Sequence, residues 1–153
     1  MSDIVLVIPG DPIPQKRPRF SRALGRAYTD ADQRRNNENT AGKVLVLWGD
    51  RLPIEGPISL GLVFVLGRPK GHYGKRGIRE SAPRHHVSRP DLDNLIKHVK
   101  DASKGILWRD DAQVCGYHQA VKVYGETPRT ILKIRPLAGQ GVMDSETLSL
   151  IGG

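Results

Sequence analysis

The sequence has little of several features that mark other classes of protein. Cys115 is the only cysteine, so neither an intramolecular disulfide nor a zinc site built on cysteine pairs can form. No apolar run approaches the roughly 18 residues that a membrane helix requires. Residues 1–14 lack the basic segment and the long apolar core of a signal peptide. We therefore expect a protein of the reducing cytoplasm that makes no membrane contact.

Positive charge is what the sequence has in excess. Its 153 residues include 24 Lys and Arg against 16 Asp and Glu, which gives a net charge of +8. This length fits one domain with an ordinary hydrophobic core. The charge favours a polyanionic partner such as nucleic acid, although a basic protein without a specific partner can have the same composition.

The cations are concentrated in two segments that we predict to contact phosphate groups. Residues 11–28 are basic and rich in proline, which excludes a regular helix. Phe20 and Tyr28 lie among these cations, as aromatic residues often do in nucleic-acid grooves, or else they pack into the core of the domain. Residues 67–89 form a long and strongly basic connection, and connections of this length are usually functional or disordered. The predicted contacts are Lys16, Arg17, Arg19, Arg68, Lys70, Lys75, Arg76 and Arg89.

Hydrophobic patterning predicts a single α+β domain, in which a small mixed or antiparallel sheet packs against two helices. Apolar runs indicate strands over residues 4–8 and 58–66, and the second run is continuous enough to be the central strand. Residues 113–124 and 129–135 are predicted to pair as an antiparallel hairpin across the turn at 125–128.

A first helix should begin at Thr29 or Asp30, either of which can cap it, and end near Trp48. Its polar first half is predicted to face solvent, and its apolar second half to dock on the sheet. We assign residues 1–137 to the domain and residues 138–153 to a flexible or partner-docking tail.

Residues 89–114 hold a concentration of acidic side chains that is unusual in so basic a chain. Apolar residues recur there with helical spacing, which predicts a second helix with one buried face, ended by Gly105. The acidic residues are Asp91, Asp93, Asp101, Asp110 and Asp111, and the buried positions are Leu92, Leu95, Ile96, Val99 and Ala102.

Some of these carboxylates can converge on a metal ion. Asp91 and Asp93 can share a ligand only at the helix start, with Asp91 extended or capping. If the following turn lies beside that start, Asp110 or Asp111 can join them. Carboxylates without sulfur ligands suit Mg²⁺ or Mn²⁺, ions that polarise a phosphate and lower the pKa of bound water. Lys97, one turn after Asp93, would offset charge on the attacked phosphate.

Each residue also has an ordinary structural explanation. Aspartate is common at helix starts because the helix dipole favours it there. Asp93, Lys97 and Asp101 follow at four-residue intervals and can form surface ion pairs of little energetic value. We assign Asp101 to such a pair rather than to a metal.

The stretch as a whole resembles RusA-type Holliday junction resolvases, which are bacterial and phage endodeoxyribonucleases. The resemblance rests on about 26 consecutive residues, with a further likeness around the basic segment at residues 10–19. The matching positions are Arg89-Pro-Asp91-Leu-Asp93-Asn94-Leu, Lys97, Asp101-Ala102 and Trp108-x-Asp110-Asp111-x-Gln113-Val114.

This resemblance implies a Mg²⁺- or Mn²⁺-dependent homodimer that nicks two strands of a four-way DNA junction symmetrically, in recombination and repair. It assigns the metal to Asp91, Asp93 and Asp111, and an essential catalytic role to Lys97. Two alternatives stay open: a non-catalytic nucleic-acid-binding protein whose acids only cap and pair, and a nuclease that prefers flaps or forks.

Overall fold

The computed structural model describes residues 3–28, 30–137 and 145–152. The strands are β1 (Ile4–Pro9), β2 (Arg19–Ser21), β3 (Arg26–Tyr28), β4 (Ile58–Gly67), β5 (Tyr73–Gly74), β6 (Gly77–Ile78), β7 (Val114–Gly125) and β8 (Arg129–Pro136). The helices are α1 (Ala31–Trp48), α2 (Leu92–Ser103) and α3 (Ser145–Leu150), with single 3-10 turns at Lys70–His72 and Asp111–Gln113.

The apolar strand β4 lies inside a four-stranded mixed sheet of order β1-β8-β4-β7. Alternate β4 residues Leu60, Leu62 and Phe64 are buried in one core with Val44 of α1 and Leu95 of α2. Two helices therefore cover the sheet, because only the face they cover can bury these side chains. The predicted α+β class and the central position of residues 58–66 are confirmed.

The predicted hairpin of β7 and β8 is wrong, because β4 separates these two strands. β7 pairs with β4 in parallel, and β8 pairs with the other edge of β4 antiparallel. Seven of the ten β4 residues are buried, so both edges of the strand need hydrogen-bonding partners that water cannot provide. The loop from β7 to β8 crosses the end of β4 at Gly67, where an added Cβ would lie 3.5 Å from Pro128 Cγ.

The first helix begins as predicted at Asp30, whose Oδ1 accepts a 2.8 Å hydrogen bond from the Gln33 backbone N–H. Thr29, the other predicted cap, lies outside the described residues. The prediction that the polar first half faces solvent is wrong at Gln33 and Thr40, which are only 1% and 7% exposed. The helix ends at Trp48, which packs into the core.

Both basic segments contain a short hairpin, formed by β2 with β3 and by β5 with β6. Phe20 and Tyr28 are 67% and 39% exposed, so the alternative that they pack into the core is wrong. Beyond β6 the second segment runs along the free edge of β7. There the Tyr124 N–H donates to the Arg84 carbonyl, which protects an edge strand that would otherwise be open.

The predicted tail begins in residues 138–144, which lie outside the described part of the chain, and the boundary at residue 137 stays a prediction. Ser145–Leu150 form the short helix α3, on which Leu148 and Leu150 are exposed. Within the described residues, none of the helices has the length and apolar character needed to span a membrane.

Candidate active site

Asp91 stands at the junction between the basic segment and α2. It is the N-cap residue, with an extended backbone (φ −71°, ψ 145°), yet its side chain makes no capping hydrogen bond. The carboxylate has no hydrogen-bond or ion-pair partner among the described residues, so it is available to a ligand. Lys122 holds the chain before it, since its Nζ donates to the carbonyls of Ser88 (2.9 Å) and Pro90 (2.8 Å).

A cleft of about 410 Å³ opens between α2 and the beginning of β7. It brings together three of the four predicted catalytic residues, Asp93, Lys97 and Asp111, and leaves out Asp91. The remaining residues around the cleft are Ile96, Lys100, Asp101 and Tyr117. Tyr117 was not predicted from the sequence, although its place on the strand directly after the Asp111 turn could have indicated it.

The two neighbouring carboxylates of the turn have different surroundings. Asp111 lines the cleft, and its Oδ1 accepts a 3.0 Å hydrogen bond from Nε1 of the fully buried Trp108. Asp110 instead caps the 3-10 turn by accepting from the Ala112 N–H at 2.8 Å, and it lies 3.7 Å from the Lys104 ammonium. That hydrogen bond, and then the charge of Lys104, lower the pKa of Asp110. Of the two, Asp111 is the carboxylate that faces the cleft.

Gln113 holds this turn in shape, a role that sequence reasoning missed. Its Oε1 accepts from the backbone N–H groups of Arg109 (2.7 Å) and Asp110 (2.9 Å). Its Nε2 donates to the carbonyls of Ile54 (2.8 Å) and Gly56 (2.9 Å), which ties the turn to the loop before β4. The spacing Asp110-x-x-Gln113 is a capping-box pattern and could have indicated the first pair of bonds.

The assignment of Asp101 to a surface ion pair is wrong. Neither Asp101 nor Lys97 makes an ion pair in the described part of the chain. Burial, and then the negative charge of Asp111, raise the pKa of Asp101 against the opposing effect of nearby lysines. The cleft therefore holds three carboxylates and two lysines that form no direct ion pair with one another.

The cleft carboxylates supply only oxygen donors, which fits Mg²⁺ or Mn²⁺ better than zinc. Among the described residues, however, no three acidic, histidine or cysteine side chains are grouped closely enough to hold a metal ion. Asp93 and Asp111 share the cleft, whereas Asp91 lies on the neighbouring groove. The residues thus provide the donor chemistry for a hard cation without being gathered into a finished coordination shell.

That neighbouring groove has a volume of about 670 Å³ and is lined with cations. Lys16 and Arg17 from the first basic segment meet Arg89 here, beside Asp91. Three of the predicted phosphate contacts are therefore brought together next to a predicted metal ligand. Arg19 is on β2, where it lies 3.7 Å from the Asp30 carboxylate.

The predicted contacts of the second basic segment other than Arg89 lie elsewhere. Lys75 and Arg76 form the exposed turn between β5 and β6, and Lys70 is exposed on the preceding 3-10 turn. Arg68 is half-buried: its Nη1 donates to the Pro83 carbonyl at 2.8 Å, and its guanidinium lies 5.4 Å from the Tyr124 ring centre. Arg68 thus holds the loop together, in addition to any contact with a partner.

Comparison with known proteins identifies the family of the chain. The family described as "Endodeoxyribonuclease RusA" matches residues 9–135, a span that includes the cleft and the cationic groove. The chain is also 28% identical over 142 residues to "Uncharacterized protein YqaN" of Bacillus subtilis (strain 168). That match covers 90% of this chain and 99% of the Bacillus protein. The chain belongs to the RusA endodeoxyribonuclease family.

Proposed function

We propose that the protein is a metal-dependent endodeoxyribonuclease that resolves four-way DNA junctions by paired symmetric nicking. The observation that carries the proposal is a cleft next to a groove lined with cations. In this cleft lie Asp93, Asp111 and Lys97, and Lys97 makes no ion pair with any residue that the structure describes. The chain as a whole has a net charge of +8 and is suited to bind DNA, but these carboxylates would repel its phosphates. Binding of a metal ion is therefore the better explanation for them. Resolution of junctions places the protein in DNA recombination and repair.

In this proposal Asp91, Asp93 and Asp111 would hold Mg²⁺ or Mn²⁺. A bound ion of this kind polarises the scissile phosphate and lowers the pKa of a water molecule. Lys97 contacts the attacked phosphate and offsets the charge that develops on it. The Trp108 indole keeps the Asp111 carboxylate turned toward the cleft.

The basic segments would hold the DNA through its phosphates. Lys16, Arg17 and Arg89 lie beside Asp91, so they are placed to contact the strand near the cut. Lys75 and Arg76, on the exposed turn of the β5–β6 hairpin, would contact phosphates of a duplex arm. Binding of this kind weakens steeply as salt is added, because each phosphate contact releases counterions.

Asp93→Asn tests the chemistry, because it removes a charge while preserving side-chain volume. We expect cleavage of a synthetic junction in Mg²⁺ to fall by about two orders of magnitude or more, with junction binding retained. The matched control is Asp32→Asn: Asp32 lies in the first turn of α1, is exposed and forms an ion pair with Arg35. Full cleavage by Asp93→Asn would contradict the proposal, whereas Asp32→Asn should cleave like the wild type.

A substrate panel separates the two other functions. Junction, fork, flap and linear duplex DNA are each incubated with the protein and Mg²⁺, with and without EDTA. We expect cleavage of the junction that EDTA abolishes. A non-catalytic binding protein would retain branched DNA and never nick it with any divalent ion, and a flap or fork nuclease would leave the junction as the poorer substrate.

A further inference from the structure

Gln33 is a polar residue that α1 buries almost completely, with 1% of its surface exposed. Its Oε1 accepts a 2.8 Å hydrogen bond from the backbone N–H of Lys16. Its Nε2 donates to the side-chain oxygens of Gln15 at 3.1 Å and Asn37 at 3.0 Å. Both Nε2 hydrogens and the Oε1 oxygen thus take part in hydrogen bonds, and two of the three bonds go to the proline-rich segment at residues 12–18.

That segment has no helix or strand of its own and depends on outside partners for its path. Besides the bonds to Gln33, the Gln15 N–H donates to the Asn94 carbonyl of α2 at 2.9 Å. A buried glutamine on one helix and a backbone carbonyl on the other therefore hold the segment between them. Prolines supply no N–H for such bonds, so few alternative anchors are available.

The anchored residues are the ones that carry charge into the groove. Lys16 and Arg17 follow Gln15 directly, and they line the groove together with Asp91 and Asn94. Both side chains are exposed, and neither makes an ion pair in the described part of the chain. Their position thus depends on the backbone beneath them rather than on contacts of their own.

We propose that Gln33 is a positioning residue for DNA binding: it holds Lys16 and Arg17 beside Asp91, where they bind a backbone phosphate of the strand to be cut. The inference rests on the proposed function, since it takes DNA as the ligand of the groove. It adds a residue that touches no DNA itself and acts only through the segment it anchors.

Gln33→Met tests the proposal, because methionine fills a similar volume without forming hydrogen bonds. The matched control is Thr40→Val on the same helix: Thr40 is also buried, but its hydroxyl forms its 2.8 Å hydrogen bond with His98 Nε2 and not with the segment. Both variants lose buried hydrogen bonds of α1, and only the first releases Lys16 and Arg17. Junction affinity is measured in Ca²⁺ over a range of salt concentrations, beside thermal stability.

We expect Gln33→Met to weaken junction binding by about tenfold and to reduce the salt dependence by the equivalent of about one or two phosphate contacts, with Thr40→Val unchanged in both. In a Lys16→Ala/Arg17→Ala background, Gln33→Met should cause no further loss, because those cations are the means by which it acts. An equal loss in both backgrounds, or wild-type binding by Gln33→Met, would overturn the inference.

A second variant and a proteolysis assay test the same role of Gln33 independently. If Gln33→Met does not fold, Gln15→Ala removes one of the same bonds from a half-buried position and should weaken binding in the same way. Trypsin cleavage of the Lys16–Arg17 bond, which needs no DNA, should be faster in Gln33→Met than in the wild type, and equal rates would count against the inference. A wild-type protein that does not bind junctions would instead refute the proposed function.

Discussion

One hydrogen bond determines how Asp111 is presented to the cleft. Trp108 is fully buried, so its indole N–H is fixed by packing and points at Oδ1 of Asp111. The second carboxylate oxygen then remains for a ligand. Groups that orient a metal-binding carboxylate in this way commonly affect metal affinity or activity by about 10- to 100-fold.

Trp108→Phe should therefore lower cleavage at limiting Mg²⁺ while most of the buried ring surface is kept. We expect the Mg²⁺ concentration for half-maximal cleavage to rise by about tenfold, measured by titration with a junction substrate. Trp48→Phe is the matched control, because Trp48 is also buried and its Nε1 has no hydrogen-bond partner among the described residues. Equal effects of the two substitutions would show that lost packing, and not the hydrogen bond, is responsible.

At this scale the sequence predicted residues that act through local spacing and missed those that act at a distance. Asp93 and Lys97 lie one helical turn apart, so periodicity alone places them on one face. Gln33 bonds to Lys16, 17 residues away along the chain, and Gln113 ties its turn to Ile54, 59 residues away. No local pattern encodes such contacts, because they exist only after the sheet and helices have packed.

The packing of α1 against α2 includes one buried polar pair. Thr40 Oγ1 and His98 Nε2 are 2.8 Å apart, and His98 is 2% exposed. Burial disfavours the charged imidazolium and lowers the pKa of His98 below its ordinary value of 6.5. The contact between α1 and α2 thus contains a neutral histidine.

This burial makes the stability of the helix pair depend on pH. The unfolded chain takes up a proton on His98 near pH 6.5, whereas the folded chain does so only at lower pH. The contribution of neutral His98 is fully present above the unfolded pKa and is lost as pH falls toward the folded one. We expect thermal unfolding followed by circular dichroism to show a larger drop in Tm between about pH 7.5 and pH 5 for the wild type than for His98→Gln.

Glutamine can still bond to Thr40 but does not titrate, so the difference between the two proteins isolates the histidine. The carboxylates that also titrate in acid are the same in both. A parallel fall in Tm for wild type and variant would contradict the assignment. Mg²⁺ should not change this difference in Tm between the wild type and His98→Gln. Thr40 and His98 line a different cavity from the one that holds the cleft carboxylates.

Helices and strands with a clear hydrophobic pattern could be predicted from the sequence. The pairing of the strands in the sheet could not. The buried face of α2 and the apolar run of β4 each follow from the residues that these elements contain. The separation of β7 from β8 depends on β4, whose nearest residue, Gly67, lies 47 positions before Val114. A short turn at Gly125–Pro128 is equally compatible with a hairpin and with a crossing over one strand.

At the scale of the whole molecule, paired cutting requires two active sites. Each chain has a single cleft that combines Asp93, Lys97 and Asp111 in its described part. A four-way junction presents two equivalent strands related by two-fold symmetry, and a homodimer with the same symmetry presents one cleft to each. The proposed symmetric nicking therefore requires association of two chains, whichever surface they use.

Light scattering in solution should give a mass of about twice the 16.9 kDa of one chain.

A functional test follows from mixing the wild type with Asp93→Asn in excess, so that most active chains are paired with an inactive one. On a plasmid that extrudes a four-way junction, the wild type should yield linear product through two cuts, and the mixture should yield mainly nicked circles. If the amount of linear product fell only in proportion to the fraction of wild-type chain, this would count against paired incision. A strictly monomeric protein would also count against it. The nicked circle is the informative product, because it shows one cleft working while its partner is disabled.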